Sequence, residues 1–127
     1  MTGERVLVVE DNAKNLKLVK DVLEYAGYEV VVAETGERAL ELVTEVTPDL
    51  VLMDLQLPGM DGTETMRRLR QLPKTKPVPV VAVTAFAMQA DRDKAFVNGF
   101  DGFIEKPISV RALPGQIERF LTEERQS

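Results

Sequence analysis

Five side chains that could do chemistry stand where apolar runs of the sequence end. Glu10 and Asp11 follow the run "VLVV", and Asp54 closes the run "DLVLMD". Thr84 ends "VPVVAVT", and Lys106 comes just after "DGFIE". Three carboxylates without a histidine would make an oxygen-only site, which suits a hard cation such as Mg²⁺. A carboxylate can also act as a nucleophile and become an aspartyl phosphate, while an ammonium and a hydroxyl would stabilise the phosphoryl oxygens.

Four of these residues also have an ordinary structural explanation. Asp11 and the following Asn12 could cap one helix, and Thr84 could cap another. Asp54 could be a solvated strand end, and Lys106 a surface lysine. The functional hypothesis therefore depends on all of them meeting at one edge of a sheet, which is decided by the elements that carry them.

Strand-like and helix-like segments alternate along the chain. A strand followed by a helix occurs five times, which indicates a parallel sheet with right-handed crossovers. The middle strands are apolar throughout, as is typical of strands covered on both faces. The sheet is predicted to be open and doubly wound, because a barrel needs about eight units and ~250 residues. Ligands of such sheets bind beyond the carboxyl ends of the strands. The predicted strands are 6–9, 28–33, 49–54, 78–84 and 101–105.

Capping and breaking residues predict where two of the helices begin and end. Asn12 is the predicted N-cap of the first helix and Gly27 its stop. Pro114 and Gly115 interrupt the last helical pattern, so we expect a turn at 109–113 and a regular helix from about Pro114. The apolar face of the first helix is predicted, from helical spacing, to contain Asn15, Leu18, Val19, Val22, Leu23 and Ala26.

The composition excludes several classes of function. The chain has 127 residues, 44% of them apolar, which is enough for one ordinary domain. It contains neither cysteine nor histidine, so no thiolate or imidazole can bind a metal or complete a catalytic triad. The net charge of −5 disfavours direct binding of nucleic acid. Because there is neither a signal peptide nor an apolar run near the ~20 residues of a membrane span, we expect a cytoplasmic protein without membrane contact.

Four segments resemble the signature blocks of response regulator receiver domains. They are "VVEDN" (8–12), "PDLVLMDLQLPGMDG" (48–62), "VVAVTA" (80–85) and "EKP" (105–107), in order and at suitable spacing. The resemblance covers essentially the whole chain. It implies a flavodoxin-like α/β fold, with five helices around a five-stranded parallel sheet of strand order 2-1-3-4-5. Within the family, the sequence is similar to DivK-type single-domain regulators, and receivers of hybrid kinases share much of the same pattern.

The resemblance implies a role for each residue of a phosphorylation switch. Asp54 would accept the phosphoryl group, and Lys106 would pair with Asp54 at rest and with the phosphoryl group afterwards. Thr84 would swing inward to hydrogen-bond that group, and Phe103 occupies the aromatic switch position. The bond between Lys106 and Pro107 falls where the family typically has a cis peptide.

A magnesium site and a signalling function are implied in the same way. Mg²⁺ would be bound by Asp11, by Asp54 and by the backbone carbonyl of Gln56, with Glu10 acting through a metal-bound water. The chain would take a phosphoryl group from a histidine kinase or a histidine phosphotransfer protein. It would catalyse its own phosphorylation, and slow hydrolysis of the product, without being a conventional enzyme. A Mg²⁺-dependent phosphatase of the haloacid dehalogenase type would need a second Asp at position 56.

Partners are expected to dock beside the acidic residues. Residues 1–127 are interpreted as one monomeric receiver domain without an output domain, so output would be contact with a downstream protein. Leu16 lies about 90° from the centre of the first helix's apolar face and should be partly exposed. Phe86 and Met88 belong to an apolar loop after Thr84, and either form docking surface or tuck under the fourth helix. Two alternatives are an adaptor that acts without phosphorylation and a receiver fragment of a hybrid histidine kinase.

Overall fold

Strands and helices alternate along the chain in the order that the sequence predicts. A computed structural model describes residues 3–126, with side chains described through residue 122. Within this range the strands are β1 (Arg5–Val9), β2 (Glu29–Ala33), β3 (Leu50–Asp54), β4 (Val80–Thr84) and β5 (Gly102–Glu105). The helices are α1 (Ala13–Tyr25), α2 (Gly36–Leu42), α3 (Gly62–Gln71), α4 (Gln89–Asn98) and α5 (Leu113–Gln126).

The strands form one parallel sheet in the order β2-β1-β3-β4-β5, which confirms the predicted flavodoxin-like topology. Every residue of β3 and β4 is buried, because helices cover both faces of the sheet. Asp54 pairs in register with Val83, and Thr84 pairs with Glu105. The carboxyl ends of the central strands therefore lie side by side at one edge of the sheet.

Alternate residues of each strand enter two separate apolar layers. In β1, Leu7 and Val9 face the layer that contains residues of α2, α3 and α4. Val6 and Val8 face the opposite layer, which contains residues of α1 and α5. Because strand side chains alternate between faces, one five-residue strand contributes to both cores.

Side-chain caps start three of the helices. Asn12, Thr35 and Asp61 each accept a hydrogen bond from the backbone N–H three residues on, as preferred N-cap residues do. Gly62 begins α3 against the carbonyl of Asp54, where an added Cβ would collide with that oxygen. This close approach places the N-terminus of α3 directly against the end of β3. None of the described helices is long and apolar enough to cross a membrane.

The buried face of α1 differs from the predicted one. Leu16, Val19 and Leu23 are buried against the sheet, while Leu18 is 43% exposed. The expectation that Leu16 is partly exposed is therefore wrong, since only 9% of its surface is accessible. Apolar residues occupy a wider arc of this helix than the sheet can cover, and packing selects the side centred between Leu16 and Val19.

The starts of β4 and α5 lie within two residues of the predicted positions. Strand β4 begins at Val80 rather than near Val78, because the Val78 N–H closes a turn on Thr75 and Pro79 has no N–H to donate. Helix α5 begins at Leu113 after a turn, within one residue of the predicted start. The predicted stop of α1 is also confirmed, since Gly27 follows that helix with a φ of 101°.

Candidate functional site

The residues singled out at the strand ends meet at the carboxyl edge of the sheet. Asp54, the last residue of β3, is only 2% exposed, and Thr84, the last residue of β4, is equally buried. Glu10 leaves β1 with its N–H bonded to Ala33 of β2. The N–H of Lys106 donates to the Thr84 carbonyl at 2.9 Å, which holds the segment after β5 beside β4.

The Lys106 ammonium joins two of the carboxylates. Its Nζ lies 2.9 Å from Asp54 Oδ2 and 3.2 Å from Glu10 Oε1. Burial by itself lowers the pKa of Lys106, but the hydrogen bond to Asp54 and the charges of Glu10 and Asp54 outweigh it. The pKa of Lys106 is therefore raised above its ordinary value, and the lysine carries a full positive charge.

The segment "EDN" divides into three separate positions. Glu10 is buried and accepts the Asn12 N–H at Oε2, 3.0 Å away. Asn12 caps α1 by accepting the Asn15 N–H, as predicted. Burial raises the pKa of Glu10, and the neighbouring Asp54 adds to that rise, while the Asn12 N–H and the Lys106 charge oppose it. Glu10 is thus held beside Asp54 although two like charges repel there.

Glu10, Asp11 and Asp54 together form a candidate metal site. Each offers one carboxylate oxygen, and these oxygens lie within 4.8 Å of one another. Glu10 and Asp54 are buried, whereas Asp11 is exposed and leaves a path from solvent. Three carboxylates face one ammonium, so the group keeps an excess of negative charge. Oxygen donors with excess negative charge and solvent access fit Mg²⁺, which binds few protein ligands and keeps several waters.

Gln56 contacts both Asp54 and Thr84. Its backbone N–H donates to Asp54 Oδ1 at 2.9 Å, and its side-chain Nε2 donates to Thr84 Oγ1 at 2.7 Å. The Phe86 N–H also donates to Thr84 Oγ1, at 3.0 Å. The sequence pattern predicts a role for the Gln56 carbonyl but not the bond between its side chain and Thr84. The feature of the sequence that points to Gln56 is its position, two residues after Asp54.

Phe103 lies under a cation that the sequence pattern does not indicate. The guanidinium of Arg92, on α4, sits 5.1 Å from the centre of the Phe103 ring. Arg92 also lies 3.6 Å from Glu105 and donates to the Ala87 carbonyl. The Phe103 ring also packs against the apolar layer that contains residues of α2, α3 and α4. The peptide bond between Lys106 and Pro107 is cis, as expected.

The predicted docking residues fall into two groups. Phe86 and Met88 are 64% and 76% exposed, so neither tucks under α4. Leu16 is buried, and Leu18 instead lines a groove of about 360 Å³ between α1 and the segment after β5. Lys106 lies at the same groove, which places accessible apolar surface next to the acidic group. Docking on these surfaces stays a prediction.

The fold and the site together define a class of protein. Its members have a flavodoxin-like parallel sheet that carries an acidic cluster, a hydroxyl and a lysine at its carboxyl edge. The family model described as the response regulator receiver domain matches residues 6–118, and this chain belongs to that family. Receiver domains act in two-component signalling, where they interact with histidine kinases and downstream proteins.

Relatives of known name agree with this assignment. The chain is 42% identical over 116 residues to the polar-differentiation response regulator DivK of Brucella ovis, covering 91% of this chain and 94% of that protein. Among solved structures, the chemotaxis response regulator CheY4 of Vibrio cholerae superposes with a TM-score of 0.88 at 27% identity, over 94% of this chain and 99% of that one. The receiver domain of a sensor histidine kinase from Pseudomonas aeruginosa gives 0.86 at 30% identity, over 95% and 99%.

Proposed function

We propose that this chain is a phosphorylation-dependent signalling switch in which Asp54 accepts the phosphoryl group. The observation that carries the proposal is the placement of the Asp54 carboxylate. It is buried at the end of β3, bonded to Lys106 Nζ at 2.9 Å, and grouped with two further carboxylates. A purely structural ion pair would have no use for the two additional acids. A nucleophilic carboxylate needs both a cation for the phosphoryl oxygens and a metal-binding set.

In the proposed reaction, an oxygen of Asp54 attacks the phosphorus of a phosphohistidine on a histidine kinase or histidine phosphotransfer protein. A P–O bond forms while the P–N bond breaks, and the departing imidazole takes up a proton. The Lys106 ammonium keeps its place beside the transferred group and neutralises part of its charge. The Thr84 hydroxyl, at the end of the neighbouring strand, donates a hydrogen bond to a phosphoryl oxygen, and Phe103 turns towards the space that Thr84 leaves.

The proposed Mg²⁺ ligands are Asp11, Asp54 and the backbone carbonyl of Gln56, with Glu10 in the outer sphere. The 4.8 Å grouping of carboxylate oxygens supports this set. When bound, Mg²⁺ supplies positive charge that offsets the charge of the phosphoryl oxygens. The structure of the Pseudomonas aeruginosa receiver domain is described with a magnesium ion coordinated in its active site cleft, which supports the same ion here.

The proposed output is contact between the receiver and a downstream protein. In this proposal residues 1–127 act as one monomeric receiver domain. The 94% coverage of the DivK relative supports the extent of that domain. Phe86 and Met88 supply exposed apolar surface directly after Thr84, so a shift of Thr84 would change the surface that a partner meets. The groove beside Leu18 offers the phosphoryl donor a place next to Lys106.

Intact mass measurement tests the proposal. Incubation with Mg²⁺ and acetyl phosphate is expected to add the mass of one phosphoryl group to the wild-type protein, and none to Asp54→Asn. The matched control is Asp93→Asn, an exposed residue of α4, which should be phosphorylated as the wild type is. A wild-type protein that gains no phosphoryl mass, or an Asp54→Asn protein that still gains it, would contradict the proposal. The former would favour an adaptor that works without phosphorylation.

A further inference from the structure

The oxygen of the Thr84 hydroxyl is fully engaged. It accepts one hydrogen bond from Gln56 Nε2 at 2.7 Å and a second from the Phe86 N–H at 3.0 Å. A hydroxyl oxygen has two lone pairs, so both acceptor positions of Thr84 are occupied. The bond from Gln56 is at the short end of the N–H···O range, which marks it as well formed. Any movement of the Thr84 oxygen must therefore first break or stretch the contact with the Gln56 carboxamide.

Gln56 also contacts the Asp54 carboxylate, the proposed site of phosphorylation. Its backbone N–H donates to Asp54 Oδ1 at 2.9 Å, while its side chain reaches Thr84 on the neighbouring strand, 28 positions along the chain. One residue thus bonds to the carboxylate through its backbone and to the hydroxyl through its side chain. A substitution of the Gln56 side chain can therefore free Thr84 to move while the backbone bond from residue 56 to Asp54 is kept.

The surroundings of the Gln56 carboxamide allow its hydrogen bond to Thr84 to break. The residue is exposed overall, and a cavity of about 170 Å³ is lined by Gln56, Thr84 and Phe86. The hydrogen bond to the Thr84 hydroxyl restricts the rotamers of the long Gln56 side chain. Breaking that bond restores the lost conformational entropy, which favours release. Neither the loss of a large apolar contact nor the unpairing of a buried charge opposes this release.

We propose that the Gln56 carboxamide is a positioning residue that holds Thr84 in its resting place and opposes its capture by a phosphoryl group on Asp54. The inference rests on the proposed function, since it needs that phosphoryl group as the competitor. The phosphoryl group offers Thr84 a charged acceptor, and hydrogen bonds to ionised acceptors are stronger than those between neutral groups. The bond to Gln56 therefore restrains the switch without locking it.

The size of the restraint follows from the type of bond. A neutral hydrogen bond of this kind shifts a two-state equilibrium by roughly two- to tenfold. A ligand that binds only the shifted state loses apparent affinity by the same factor. Removing the carboxamide should thus tighten the binding of a phosphoryl mimic at Asp54.

The experiment measures the dissociation constant of beryllium fluoride, a non-hydrolysing phosphoryl mimic, by fluorine NMR at saturating Mg²⁺. Gln56→Met keeps the length of the side chain but has no donor, and it is expected to tighten binding roughly two- to tenfold. The same substitution in a Thr84→Ala background should have almost no effect, because the hydroxyl that it releases is gone. Gln71→Met, at the exposed end of α3, is the matched control and should bind as the wild type does.

Two outcomes would overturn this inference but not the proposed function. In the first, Gln56→Met leaves beryllium fluoride binding unchanged or weakens it. In the second, Gln56→Met has an equally large effect when the Thr84 hydroxyl is absent. Either could occur in a protein that is phosphorylated normally on Asp54. A wild-type protein that neither binds beryllium fluoride nor gains a phosphoryl mass would instead overturn the proposed function, and this inference with it.

Discussion

Partly buried charged side chains lie at the edge of the sheet where the strands begin, here called the amino edge, and also at the carboxyl edge. The surroundings of the charges differ between these two places. At the amino edge, Arg70 of α3 is enclosed among loops that precede β4 and β5. Its guanidinium nitrogens donate to three backbone carbonyls and to one carboxylate, at 2.6 to 3.1 Å. These partners are Lys76, Val78, Gly99 and Asp101. One positive charge thus meets one negative charge and a set of neutral acceptors.

At the carboxyl edge the charges do not balance. Lys106 contacts Asp54 and Glu10, and Asp11 completes a group of three carboxylates within reach of one another. Burial and the neighbouring carboxylate raise the pKa of Glu10, which shows that keeping this acid ionised is unfavourable. A balanced set of buried charges joins parts of the fold. An unbalanced set lowers stability until a cation binds, and that is how a functional site differs from a structural ion pair.

The largest effect expected at the unbalanced edge is on phosphorylation. Lys106→Met removes the ammonium that contacts Asp54 and Glu10, so it should slow phosphorylation of Asp54 by acetyl phosphate roughly 10²-fold, as loss of a transition-state donor does. The rate would be followed by intact mass at saturating Mg²⁺. Lys74→Met, an exposed lysine, is the matched control. A rate within about twofold of wild type for Lys106→Met would show that the lysine only balances charge at rest.

The largest effect expected at the balanced edge is on stability. Arg70→Ala removes the donor of three backbone carbonyls and the charged partner of Asp101, whose carboxylate retains its bond from the Val80 N–H. The loss of these bonds to a charged group should lower the free energy of unfolding by about 2–3 kcal/mol. Arg70→Lys should recover only part of that loss, because an ammonium cannot replace a planar fork of donors. Urea denaturation measures both. Arg38→Ala breaks an exposed pair with Glu41 and should cost less than about 0.5 kcal/mol. Equal losses in Arg70→Ala and Arg38→Ala would remove the distinction between the edges.

Addition of Mg²⁺ should stabilise the unbalanced edge. At ten times its dissociation constant, an ion that binds only the folded state adds about 1.4 kcal/mol to the free energy of unfolding. Asp11→Asn should remove most of that gain. In metal-free buffer the same variant should be at least as stable as wild type, because it lowers the excess negative charge. Thermal denaturation with and without Mg²⁺ measures both effects. A full Mg²⁺ response in Asp11→Asn would exclude Asp11 as a ligand.

The smallest effect is expected from a balanced pair outside the acidic group. Arg92 lies on the Phe103 ring and near Glu105, but it is more exposed than Arg70. Arg92→Ala should lower the free energy of unfolding by about 0.5–1 kcal/mol, the usual value of an exposed cation–π contact. In a Phe103→Leu background the loss should be smaller, which a double-mutant cycle would measure. Additive losses would mean that the ring contact contributes nothing.

The order of the elements and the meeting of the site residues were predictable because both depend on local patterns. Apolar runs of strand length, Asn12 as a cap and Gly27 as a stop are short-range signals. Once the strands are parallel, every strand ends at the same edge, and the pairing of β3 with β4 then brings Asp54 and Thr84 close together. The pattern could not show that Leu16 would be buried and Leu18 exposed, because helical spacing defines an apolar arc but not which part the sheet covers.

The sequence by itself therefore determined the α/β alternation, the acids at the strand ends and the excess of negative charge among them. Only the tertiary structure decided which atoms are joined: Lys106 to both Asp54 and Glu10, Gln56 to Thr84, and Arg92 to Phe103. The physical reason is range. Periodicity and capping act over a few residues. Hydrogen bonds between side chains far apart in the chain depend on distances of a few ångströms that only the packed fold defines.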